Sequence, residues 1–112
     1  MLEKFGKAAF DLLEKLNKAS FDPYLNDSFE IDLENSKVVN AKLIEVQDTS
    51  SGVVESFSLI FQAPATAPFY QGTYKIKHEK MGEFPVFMVP VGPRRGMLEY
   101  QVIFSRLKTK NI

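Results

Sequence analysis

Ser56-Phe57-Ser58-Leu59-Ile60-Phe61-Gln62 places phenylalanine, leucine and phenylalanine at alternate positions, with small or polar residues between most of them. A period of two belongs to a strand, and here the inward face is aromatic. Upstream, positions 38–48 read as a strand that returns through the turn Asp48-Thr49-Ser50-Ser51-Gly52. Further upstream, Phe29, Ile31 and Leu33 alternate with Glu30, Asp32 and Glu34, and Glu34-Asn35-Ser36-Lys37 closes that strand. Downstream, residues 63–68 contain two prolines, which cannot donate to a ladder, so an irregular connection is expected. Tyr74 and Ile76 then alternate with Thr73, Lys75 and Lys77; residues 84–91 follow the Lys80-Met81-Gly82 turn. After the turn Pro93-Arg94-Arg95-Gly96, the residues Leu98, Tyr100, Val102 and Phe104 make the last inward face. Six strands joined by short connections predict a mainly β chain closed as a small antiparallel barrel, which removes exposed edges; a sandwich is the alternative.

The period is different at the N-terminus. Leu2, Phe5, Ala9, Leu12, Leu13 and Leu16 recur at helical spacing, with charges between them. This predicts an amphipathic helix over residues 1–20, ended by Asn17, Ser20 and Asp22-Pro23, and a β domain over 21–112. Residues 84–91, Phe-Pro-Val-Phe-Met-Val-Pro-Val, are apolar on both faces. Such a strand needs cover on its outer side, and the helix, which is marginal alone in water, is the economical cover.

A chain of 112 residues has room for one core. Its 14 basic and 14 acidic side chains give no global attraction to nucleic acid, and no basic stripe with exposed aromatics is present. Locally the charge is divided. Residues 1–55 carry 11 acids and 6 bases, and residues 56–112 carry 3 acids and 8 bases. This predicts either pairing of acidic with basic strands within the domain, or an acidic edge of one subunit meeting a basic edge around Arg94, Arg95 and Arg106 of another. No cysteine, no leader-like apolar run and no membrane-length segment point to the cytoplasm, with export by a route that needs no signal peptide left open.

Phe57-Ser58-Leu59-Ile60-Phe61, Gln71-Gly72-Thr73-Tyr74, His78, Gly82, Val89-Pro90-Val91-Gly92 and Tyr100-x-Val102-x-Phe104, in that order, resemble an uncharacterised bacterial domain family. The resemblance covers roughly residues 29–107 and leaves the helix outside. It implies a small domain encoded near phage-tail-collar or tail-fibre-like proteins, and it implies no catalytic residues.

Hydrolytic chemistry needs a nucleophile with a base, a pair of poised carboxylates, or a metal with an open position. His78 is the single histidine, and at a strand end beside a turn it reads as a hydrogen-bonding structural residue. Ser58 or Ser105 would have to meet it in a triad, and nothing local brings them together. Asp22, Asp27, Glu30, Asp32 and Glu34 match no calcium loop and read as a solvated strand face. No metal ligand set, cofactor or catalytic residue is therefore assigned. The favoured function is a non-catalytic protein-interaction or assembly module whose partner is another protein or a second copy. Its interface candidates are Leu2, Phe5, Leu12, Leu16, Ile60, Phe69, Tyr70, Phe87, Arg94, Arg95 and Ile103, on the helix, the 64–71 loop, the outer strand face and the arginine turn. The alternative is a carrier of small apolar ligands, with Phe57, Phe61, Tyr74, Phe87, Tyr100 and Phe104 lining a cavity. A third is an enzyme with His78 in a cleft beside a carboxylate or hydroxyl.

Overall fold

The computed structural model describes residue 13 and residues 15–33, 37–65 and 69–107. Six antiparallel strands form a closed barrel: β1 (Ser28–Asp32), β2 (Val38–Asp48), β3 (Val54–Pro64), β4 (Gly72–His78), β5 (Gly82–Arg94) and β6 (Met97–Leu107). Around the barrel they run β1-β2-β3-β6-β5-β4. The chain thus builds two three-stranded meanders, β1 to β3 and β4 to β6, joined by a Greek-key crossover. The sheet closes where β3 meets β6 and where β1 meets β4.

The alternating residues of the opening heptapeptide point as their period demands. Phe57, Leu59, Phe61 and Ala63 of β3 enter the core with Phe29, Ile31, Leu43, Ile76, Phe84, Met88, Tyr100 and Val102 from the other strands. β3 runs on to Pro64, which pairs with Met97, so the irregular crossover starts later than its prolines suggest. The turn after β5 is tighter than the sequence suggests. Arg94 still pairs with Met97, leaving Arg95 and Gly96 alone at the tip with φ of 55° and 77°. Two successive left-handed residues fit the twist of a two-residue hairpin, a geometry that favours Asn-Gly. Upstream in β5, a bulge lies between Pro90 and Gly92, and Gly92 takes φ 112°, open to glycine and hostile to a side chain.

Chain segments enter both ends of the barrel. At one end lie the turns after β2 and β4 and the chain leading into β1. Leu13 and Lys15 are helical, and a second short helix, α1 (Lys18–Phe21), follows. Asn17 is its N-cap, accepting from the Ser20 N–H while the Ser20 hydroxyl accepts from the Asn17 N–H. Leu16 and Asn17 are themselves non-helical, so Asn17 stands at a helix stop and also caps the helix that follows. The remainder of the expected helix, including Leu2, Phe5 and Leu12, lies outside the described residues. Phe21 is fully buried, its ring 5.8 Å from Phe57, 5.7 Å from Phe104 and 6.1 Å from Phe84. It closes that end of the core. Phe69, on the crossover, packs at the opposite end, stacked on Tyr100 with ring centroids 3.9 Å apart.

Candidate interaction surfaces

The crossover end gathers several candidates. The loop backbone there is fixed by two tyrosine contacts, one long-range and one local: the Phe69 N–H donates to the Tyr100 hydroxyl at 3.1 Å, and the Tyr74 hydroxyl donates to the Tyr70 carbonyl four residues back at 2.6 Å. Phe69 also meets Tyr74 edge to face. Phe69 is thus a half-buried plug, while the next residue, Tyr70, is 87% exposed. The topology puts the β5–β6 hairpin at the same end, with Val91 49% exposed. Arg94 there donates from Nε to Oε2 of the buried Glu99 at 2.7 Å, so this arginine neutralises a carboxylate of its own domain. Arg95 is exposed at the hairpin tip.

On the outer face of β5 and β6, Phe87 is 51% and Ile103 59% exposed, and Ile60 on β3 is half-buried. Phe87 therefore points away from the interior and lines no central cavity. Leu16 corrects the reading in the other direction. At 5% exposure it belongs to the core and offers nothing to a partner. Val91 was not singled out in the sequence, because an apolar residue in an apolar run carries no sign that a glycine bulge will turn it outward. The Tyr100 contact that fixes the Phe69 backbone spans 31 positions and leaves no local signal either.

His78 is buried at the other end, between the rings of Tyr24 and Phe29. Its Nδ1 accepts from the N–H groups of Lys80 at 3.0 Å and Met81 at 3.3 Å, which leaves Nε2 to carry the proton and donate to Asp27 Oδ2 at 2.9 Å. Both nitrogens are engaged, so the imidazole clamps the β4–β5 turn to the chain entering β1. Asp27, Ser28, His78, Glu79 and Lys80 line a shallow hollow there of about 300 Å3.

The divided charge has a structural location. Where β1 meets β4, Glu30 lies opposite Lys77, and Lys75 Nζ is 3.2 Å from Asp32 and 3.3 Å from Glu83. Where β3 meets β6, Arg106 Nε donates to Glu55 at 3.0 Å and its Nη2 to the Leu16 carbonyl at 2.9 Å. An acidic strand thus meets a basic one where β1 joins β4, while an ion pair, Arg106 with Glu55, crosses the β3–β6 junction. The hydrogen bonds to Asp32 and then Glu83 raise the Lys75 ammonium above its ordinary value of 10.5. Among the described residues, no cluster of three or more histidine, aspartate or glutamate side chains could hold a metal ion. No helix among them is long and apolar enough to cross a membrane.

The fold and these surfaces define a six-stranded Greek-key barrel with plugged ends and exposed apolar residues on its wall and at the crossover end. The chain belongs to a family described as a domain of unknown function, DUF6916, which matches residues 16–104. The match begins at Leu16 and so takes in α1 and the Phe21 plug, which the residue-level resemblance left outside. No curated protein and no solved structure matches the chain.

Proposed function

We propose that the domain is a non-catalytic protein-interaction or assembly module that engages another protein through the crossover end, with Tyr70 as the anchor and Val91 and Arg95 beside it. The observation that supports this reading most is the pairing of exposure with fixation at Tyr70. Tyr70 is 87% exposed on a backbone held by the Tyr74 hydroxyl, next to a plug held by Tyr100, so its main chain is already ordered before binding. Arg95 supports it as well, since a non-glycine residue in a left-handed turn position costs stability that asparagine or glycine would recover. His78, with both nitrogens committed within the fold, favours a module over an enzyme. Ring-on-ring contacts, Phe57 on Phe104 at 4.7 Å and Phe29 against Phe61 at 5.2 Å, favour it over a carrier. The resemblance described above suggests the assembly: a tail-fibre-like or secreted apparatus of a bacterial cell, with the module made in the cytoplasm.

The test is affinity purification of the tagged full chain from its native cell, beside Tyr70→Ala and Val91→Ser. The expected result is a protein retained by the parent and lost from both variants, whose melting temperatures match the parent's. Retention of the same proteins by all three would refute this surface.

A further inference from the structure

The one histidine of the chain holds separate parts of the fold together. His78 is 6% exposed, its ring between those of Tyr24 at 4.5 Å and Phe29 at 4.6 Å. Nε2 faces Asp27 from the chain entering β1, and Nδ1 faces the N–H groups of Lys80 and Met81 in the turn from β4 to β5. Met81 packs its half-buried side chain against the core. His78 also borders the hollow lined by Asp27, Ser28, Glu79 and Lys80, which opens to solvent and gives an aqueous proton a route to the ring. The charged groups around it are Asp27, which bonds the ring, and Glu79 and Lys80 on the turn; Lys42 lies one strand away, opposite Ser28, and Glu83 on β5 is held by Lys75 and Lys77.

We propose that this arrangement is an acid-released latch: a proton taken up at His78 Nδ1 frees the turn at residues 79–81 while the imidazole stays on Asp27. The two nitrogens respond to that proton in opposite ways. Nδ1 holds the turn through its lone pair, and once the lone pair binds a proton from water the nitrogen is a donor facing two donors. Proton and turn compete for one site. Nε2 already donates to Asp27, and a positive ring makes that bond charge-assisted and stronger. The carboxylate therefore keeps the ring in place as the backbone lets go. What is released is a turn carrying the exposed Glu79 and Lys80 and the half-buried Met81, at the barrel end that Phe21 closes. The Tyr70 surface lies at the opposite end, so the latch stands or falls independently of the function above.

The test is NMR spectroscopy of the full chain between about pH 8 and pH 5, the interval in which imidazoles ordinarily titrate. With a single histidine, the ring resonances report one titration without overlap. Protection of the Lys80 and Met81 amides from hydrogen exchange, taken relative to an unstructured peptide at each pH, is expected to fall about tenfold with the same midpoint as the ring, while that of Tyr100 and Val102 holds. His78→Asn keeps a side-chain oxygen within reach of the N–H two residues on and does not titrate, so its Lys80 protection is expected to be flat across the interval. Ring titration with Lys80 and Met81 still protected overturns the proposal. So does a ring that takes up no proton in this interval, or the same acid-induced loss in His78→Asn. Should that variant not fold, the comparison of ring and amides in the parent decides alone.

Discussion

Replacing His78 by alanine removes the acceptor of two backbone N–H groups and the donor to Asp27 in one step. It also empties the space that the buried ring fills between Tyr24 and Phe29, so a loss of about 2 kcal/mol is expected in urea unfolding. Arg95 is the opposite case. Its left-handed φ of 55° carries strain that asparagine tolerates, and Arg95→Asn is expected to raise stability by about 1 kcal/mol in thermal unfolding. If the same substitution weakens partner retention, the arginine serves recognition at the expense of the turn. Lys75 adds a pH dependence. Its folded value lies above the unfolded one, so its contribution is fully present below 10.5 and is lost as pH rises through the folded value. Melting temperatures of the parent and Lys75→Met are therefore expected to differ at neutral pH and to converge in strongly alkaline solution. Because the pair is largely exposed, the difference between them is small.

Among elements, α1 does more than its four residues suggest. Phe21 at its end touches rings from β3, β5 and β6, and Phe21→Ala is expected to cost about 4 kcal/mol, read from denaturant midpoints at constant slope. The alternations at Phe57, Leu59 and Phe61 and at Phe29 and Ile31 were plain in the sequence, because a half-buried strand writes its inward face at every second residue. The order of the strands was not. Alternation fixes which side a residue faces and says nothing about which strand lies alongside, so the Greek-key crossover left no local trace. The two plugs were obscure for a related reason. Phe21 and Phe69 sit in irregular segments, where burial comes from the position of the segment over a barrel end and no period announces it. Asn17 was legible as a stop, but the new helix it caps was not, because only the Ser20 hydrogen bonds disclose that second role. At the crossover surface, Tyr70 and Arg95 were readable as loop residues; of the two tyrosines that hold the loop, Tyr74 is its near neighbour and Tyr100 comes from a distant strand.

At the scale of the whole molecule, the barrel is two meanders that meet along two junctions, each crossed by at least one ion pair. Neither meander can bury its aromatic face alone, since Phe29 and Phe61 come from the first while Phe84, Tyr100 and Val102 come from the second. Beyond Met88, β5 is paired only with β6, and Pro90 and Pro93 stand along that stretch. An incoming strand would find donors missing there, a protection against edge-to-edge association. Pro90→Thr combined with Pro93→Thr is expected to leave the monomer folded while increasing aggregation in concentrated solution, measured by light scattering. The two junctions also bear on how the protein is made. Both depend on strands far apart in the chain, so during synthesis the first meander emerges with its ring-bearing face bare and waits for β6 before it can close. Holding off premature contacts over that interval is a task for the translating cell, and strands lined with phenylalanine make the interval a hazardous one.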